Sequence, residues 1–248
     1  MGRAARVGAE AGAAWRSFVR RRTAVFFTFF FPVILILIFG ALVRTDPTGT
    51  GLFTEPAGYY VPGYLAVVVL FTPLSRVGST VARHREGNRF EKLATTPLTR
   101  AEWLAAHAAV NAVIIGAASL LLLGIIVVVT DAAVRPSPWL VPLVAFGVVL
   151  FCGIGAGLGR VADSQDGVIA ASNTIALPML FLAETFVTPD LLPGYALPLV
   201  ELLPLTYFSR GVRAATYYGT SPTWDLTVLA ALAAAAFDGG AVAVPRTD

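Results

Sequence analysis

Few side chains in this sequence belong to types that act chemically on a substrate. The two histidines, His84 and His107, are isolated, and the one cysteine is Cys152. This is no metal-ligand cluster, and one cysteine forms no intramolecular disulfide. The only lysine, Lys92, stands between Glu91 and Leu93. A phosphate-binding loop needs Gly-Lys-Ser or Gly-Lys-Thr, so this chain carries no such ATP site. The run Gly153-Ile154-Gly155-Ala156-Gly157-Leu158-Gly159 lies inside an apolar stretch and lacks the spacing of a dinucleotide fingerprint. Its glycines four apart read instead as small-xxx-small pairs for close helix packing. Asp163 and Asp166 form the one near carboxylate pair, without a third ligand. Glu184 stands in a thin apolar setting, either functional or near the headgroups. Asp238 lies close to the C-terminus, where its flanking glycines weaken a helix.

Composition says where these residues must be held. The chain has 248 residues, of which 56% are hydrophobic and 13% charged, with a mean hydropathy of +0.75. Soluble domains carry about 25% charged residues, so the expected class is an all-α, multi-pass membrane protein. A net charge of +3 does not indicate nucleic acid, because the basic residues flank apolar runs, where they set topology. Residues 1–22 read as an interfacial helix, with Arg3, Arg6, Glu10, Ser17 and Arg20 on one stripe and Ala4, Val7, Ala11, Trp15 and Phe18 opposite. A secretory signal is the rival reading, but the following run is too long for its apolar region and no Ala-x-Ala site follows. Six spans are expected over 23–43, 59–81, 101–130, 139–158, 167–187 and 223–244. Pro32 can kink the first, and Phe237-Asp238-Gly239-Gly240 interrupts the last. Arginine and lysine divide about thirteen to four between the two sides, which places both termini in the cytoplasm.

The stretch 83–100 cannot lie in hydrocarbon, because charges and unpaired backbone groups there are costly. It holds Arg83, Arg85, Arg89, Lys92 and Arg100. Gly87 permits a sharp bend, 88–93 suit a short surface helix, and Thr96 before Pro97 favours an extended break. Thr99 with Glu102 fits a capping box that starts the next helix. A second unusual region, 188–221, holds short apolar pieces interrupted by prolines, the mark of a re-entrant or interfacial segment.

Three motifs in 83–100, Arg85-Glu86-Gly87, Phe90-Glu91-Lys92-Leu93 and Thr96-Pro97-Leu98-Thr99, resemble the loop between spans two and three of ABC-2 type exporter permeases. Leu177-Pro178, Phe181-Leu182, Phe186-Val187-Thr188-Pro189, Leu192-Pro193, Leu203-Pro204-Leu205-Thr206-Tyr207 and Gly211-Val212-Arg213 resemble that family's fifth span and its exterior re-entrant hairpin. Glu184 departs from a common Gly, Leu203 from a common Asn, and Asp238 has no counterpart in the pattern. The resemblance implies a single transmembrane domain over 1–248, in the plasma membrane, acting as the permease subunit of an ATP-driven exporter. It implies a coupling helix built from Arg85, Glu86, Gly87, Arg89, Phe90, Glu91, Lys92, Leu93, Thr96 and Pro97. Its partners would be an ABC ATP-binding subunit, which holds ATP and Mg, a second permease chain in a homo- or heterodimer, and membrane lipids. Arg85, Arg89 and Lys92 would meet acidic groups on the ATPase, and Phe90 and Leu93 would fill an apolar groove there. A secondary transporter needs ionisable residues near the midplane, and the first four spans offer essentially none. A lipid-modifying membrane enzyme needs clustered carboxylates or histidines.

Overall fold

The computed structural model describes residues 2–38, 55–130, 132–188 and 192–245. The end of the expected first span and most of the loop after it therefore fall outside the described residues. Those described form helices and connections, with no strand among them. The amphipathic N-terminus is helix α1 (Arg3–Val19) and the aromatic run after it is α2 (Arg22–Ile36), which continues through Pro32. A tight turn at Ala57–Tyr60 leads into α3 (Val61–Glu86), then the short α4 (Arg89–Ala94) and the long α5 (Arg100–Thr130). Next come α6 (Leu140–Val161) and α7 (Gln165–Leu182). The proline-rich region gives α8 (Leu197–Leu202) and α9 (Pro204–Arg213), extended by a π-helical turn. The last is α10 (Thr223–Ala243).

Among the described residues, four helices are long and apolar enough to cross a membrane: α3 with its leading turn, α5, α6 and α10. Helix α2 is apolar but shorter, and α7 ends at Leu182, five residues before the expected end of that span. Large apolar side chains on the outer faces stay exposed, among them Phe27 of α2, Leu120 and Val128 of α5 and Val141 of α6. In water such a surface would aggregate; facing lipid, it is the natural complement of hydrocarbon.

Helix α3 is the buried centre, and α6 wedges between it and α10. The glycine run makes this wedge. A methyl group added to Gly155 or Gly159 would overlap the backbone of α3 at Leu74 or Gly78, and one added to Gly153 would overlap α10 at Ala236. Gly240 meets Gly153 from the other side. The close-packing expectation thus holds for three of the four glycines, while Gly157 faces open space. The expected break at 237–240 does not occur. Gly240 is buried against α6 while Asp238 is exposed, so packing outweighs the weak helix propensity of glycine.

Helix α1 packs on α5 through Ala14 and Phe18 against Val110 and Ile114. Its buried stripe is rotated from the expected one: Glu10 turns inward to His107, and Trp15 turns outward. Period alone gives the width of an apolar stripe. Which neighbour it meets is decided by polar partners on that neighbour.

Candidate functional site

The segment between α3 and α5 is built from local rules. Helix α3 stops at Gly87, whose N–H donates to the Arg83 carbonyl at 3.1 Å. The reversal is made by Asn88, in the left-handed region at φ 49° and ψ 33°, a conformation that asparagine's short polar side chain tolerates. This corrects the expectation that Gly87 supplies the bend, since Gly87 sits at φ −98°. Helix α4 is closed at its far end by threonines: Thr95 Oγ1 donates to the Lys92 carbonyl at 2.8 Å and Thr96 Oγ1 to that of Leu93 at 2.7 Å. The capping box forms as expected. Glu102 N–H donates to Thr99 Oγ1 at 3.2 Å, and Thr99 N–H donates to Glu102 Oε2 at 2.9 Å. Glu102 also takes Arg6 of α1, with Nη2 2.5 Å from Oε1.

The ten residues expected to couple divide by where they point. Phe90 is 3% exposed, with its ring 5.4 Å from His84 and 5.7 Å from Trp103. It anchors α4 to the ends of α3 and α5, and its ring is spent inside this chain. Arg85 Nη1 donates to the carbonyls of Gly159, Arg160 and Ala162 at 2.9–3.2 Å, satisfying the open C-terminus of α6. Glu86 accepts from the Gln165 N–H at 3.3 Å, at the start of α7. Leu93 is half-buried, while Glu86, Gly87, Arg89, Glu91, Lys92, Thr96 and Pro97 are exposed. The carboxylates Asp163 and Asp166 flank Ser164, whose side chain accepts from the Gly167 N–H at 3.1 Å and caps α7.

On α1, Glu10 lies 3.3 Å from His107 Nε2. This hydrogen bond holds the Glu10 carboxyl below the usual carboxylate range, against the opposing effect of burial. Together with Arg6 and Glu102, it fastens the N-terminal helix to the beginning of α5.

A second polar cluster lies at the other end of α3, a helix of 26 residues and so about 39 Å long. Glu184, 3% exposed and at φ 55°, accepts both Nε and Nη2 of Arg210 at 2.5–3.2 Å. Arg213 donates to the Glu184 backbone carbonyl and to that of Tyr59, and its guanidinium lies 3.9 Å over the Tyr59 ring. One carboxylate and two arginines thus join the end of α7, helix α9 and the start of α3.

Comparison with known proteins supplies the family. The family model described as "ABC-2 type transporter" matches residues 8–217. The chain belongs to the ABC-2 type transporter family. It is accordingly a multi-pass membrane protein. A similar protein is the "Daunorubicin resistance ABC transporter permease protein DrrB1" of Streptomyces coeruleorubidus, 30% identical over 81 residues. That alignment spans 33% of this chain and 28% of the relative. Helix α10 of this ABC-2 chain lies beyond the matched residues.

Sequence reasoning about this ABC-2 protein missed the Glu184 cluster as a unit. The signal was the pair Arg210 and Arg213, three apart and so on one helical face, beside a lone buried acid. Glu184 stands at positive φ, a conformation that glycine adopts freely.

Proposed function

We propose that the chain is the permease subunit of an ATP-driven exporter, with α2, α3, α5, α6, α7 and α10 as six spans of one transmembrane domain. Both termini and α4 face the cytoplasm, and the Glu184 cluster faces the exterior. A separate ABC subunit binds ATP and Mg, and two permease chains assemble in the plasma membrane. The relative's printed role in daunorubicin resistance makes drugs one candidate class of substrate, besides lipids, polysaccharide and ions.

The observation that carries this reading is α4 itself. It is a six-residue helix, too short to be stable alone. It is braced from within by Phe90, exposes Glu91 and Pro97 on its outer face, and turns Arg89, Lys92 and Thr96 toward α1. A helix pinned to the ends of two spans transmits a push on its outer face directly to them. Docking on the ATPase therefore falls to the outward residues, while Phe90 and Arg85 carry the displacement into α3, α5 and α6.

The test uses the tagged full-length chain purified from its own host's membranes. Wild type brings ATP hydrolysis with it, and the double variant Glu91→Ala/Pro97→Ala loses most of that activity while still inserting. ATPase association and transport both intact in the double variant would remove the coupling role of α4.

A further inference from the structure

Beneath α1, and bounded by α3, α4 and α5, lies a cavity of about 520 Å³. Its lining is unbalanced in charge. Arg21, Arg76, Arg83, Arg89 and Lys92 face it, and Glu10 is the only carboxylate among the lining residues. That carboxylate is already engaged by His107. Among the described residues none of the five cations has a carboxylate within 4 Å.

The deepest of them is Arg76. It lies about 15 Å along α3 from the end of that helix, where an unneutralised charge is costly. Its partners are neutral: Nη1 donates to Asn111 Oδ1 at 3.2 Å, and the guanidinium sits 4.4 Å over the Phe18 ring. Nearer the mouth, Arg83 Nη1 is a buried donor with no hydrogen-bond partner. Buried donors of this kind are normally satisfied. Five cations converging on one space with free donors call for an anion that offers several acceptor oxygens.

We infer that this cavity binds a phosphate group, held by Arg21 and Arg83 near the mouth and drawn by the charge of Arg76 below. Arginine's fork of donors matches phosphate oxygens in geometry as well as charge. The surroundings favour a phosphate carried on a lipid. Helix α1 turns Trp15 and Val19 outward, side chains suited to the headgroup level. Helix α2 starts at Arg22, next to Arg21, and exposes Phe26, Phe27, Phe30 and Phe31, an apolar track for acyl chains. A basic pocket between helices at a membrane surface is a known form of headgroup recognition. This assignment needs only that α1 lies at a membrane surface; it stands or falls apart from the coupling role of α4.

The full-length chain in a neutral detergent tests it, with thermal unfolding as the readout. Phosphatidylglycerol in mixed micelles should raise Tm saturably, phosphatidylcholine should not, and inorganic phosphate at equal concentration should act more weakly. Arg21→Gln and Arg83→Gln should each weaken the phosphatidylglycerol response about tenfold in concentration, as expected when one charge-assisted contact is lost. Arg21 is exposed at the junction of α1 and α2, so its variant folds even where Arg83→Gln does not. Glu91→Ala, on the outer face of α4, should respond as wild type. An equal response to phosphatidylcholine, or an undiminished response in Arg21→Gln, would overturn the site. A full response to inorganic phosphate alone would overturn the lipid assignment. Normal lipid binding with lost ATPase association in Arg21→Gln and Arg83→Gln would give the cavity to an acidic segment of the partner instead.

Discussion

Glu184 shows how a single side chain can hold a conformation that its own backbone disfavours. A non-glycine residue in the left-handed region costs about 1–2 kcal/mol, and a buried carboxylate costs more unless paired. Both costs are offset here by Arg210 and by Arg213, which is 5% exposed at the side chain. Glu184→Ala keeps the backbone strain and leaves Arg213 without its carboxylate, so it should lower unfolding stability by on the order of 3 kcal/mol. Glu184→Gly also loses the pair but gains conformational freedom, and should fall between Ala and wild type. Thermal unfolding in detergent ranks the three. A glycine variant as stable as wild type would mean that the ion pair contributes nothing net.

Among the helices, α6 depends on what its residues lack. Its contact with α3 needs the absence of side chains at Gly155 and Gly159, because backbone meets backbone there. With little hydrophobic drive between helices in lipid, such close approach is a main source of association. Gly155→Leu should therefore separate α6 from α3, at a cost of about 3 kcal/mol or more, and give little folded protein. Gly157→Leu adds the same bulk on the open side of the same helix and should fold normally. Comparing the yield of monodisperse protein for the two variants separates packing from helix propensity, which the substitution changes equally. Equal yields would mean that the wedge is not what holds the bundle.

Across the whole molecule, the two polar clusters sit at opposite ends of α3, which places them at opposite membrane surfaces in the six-span arrangement. Thr95, Ser17 and Gly194 are all exposed, and the proposed six-span arrangement puts the first two on one side and Gly194 on the other. Single cysteines at these positions, in a Cys152→Ala background, should react with an impermeant thiol reagent from opposite faces: Thr95→Cys and Ser17→Cys only after the cytoplasmic side is opened, Gly194→Cys in intact cells. Thr95→Cys and Gly194→Cys labelling from the same side would overturn the arrangement. Cys152 itself is fully buried, so its replacement removes background without removing an exposed group.

What the sequence determined by itself is whatever depends on near neighbours and on composition. Apolar runs bounded by arginines mark the long helices, because the cost of burying charge in lipid is set residue by residue. Thr99 and Glu102 announced the start of α5, since a capping box closes within one turn. The boundary at Leu182 was not legible, nor was the helix running unbroken through Gly239 and Gly240, because packing outweighs local propensity there. The tertiary structure alone decided which way the side chains of 83–100 face. Phe90 and Arg85 look as available as Glu91 and Lys92 in the sequence, yet one fills a space beside Trp103 and the other caps α6, 74 residues or more away. It alone also brought Arg21 to Arg83 and Arg89 around one cavity, and Glu184 to Arg210. Contacts between residues so far apart in the chain depend on how the helices are arranged, and no periodicity in a single helix records that arrangement.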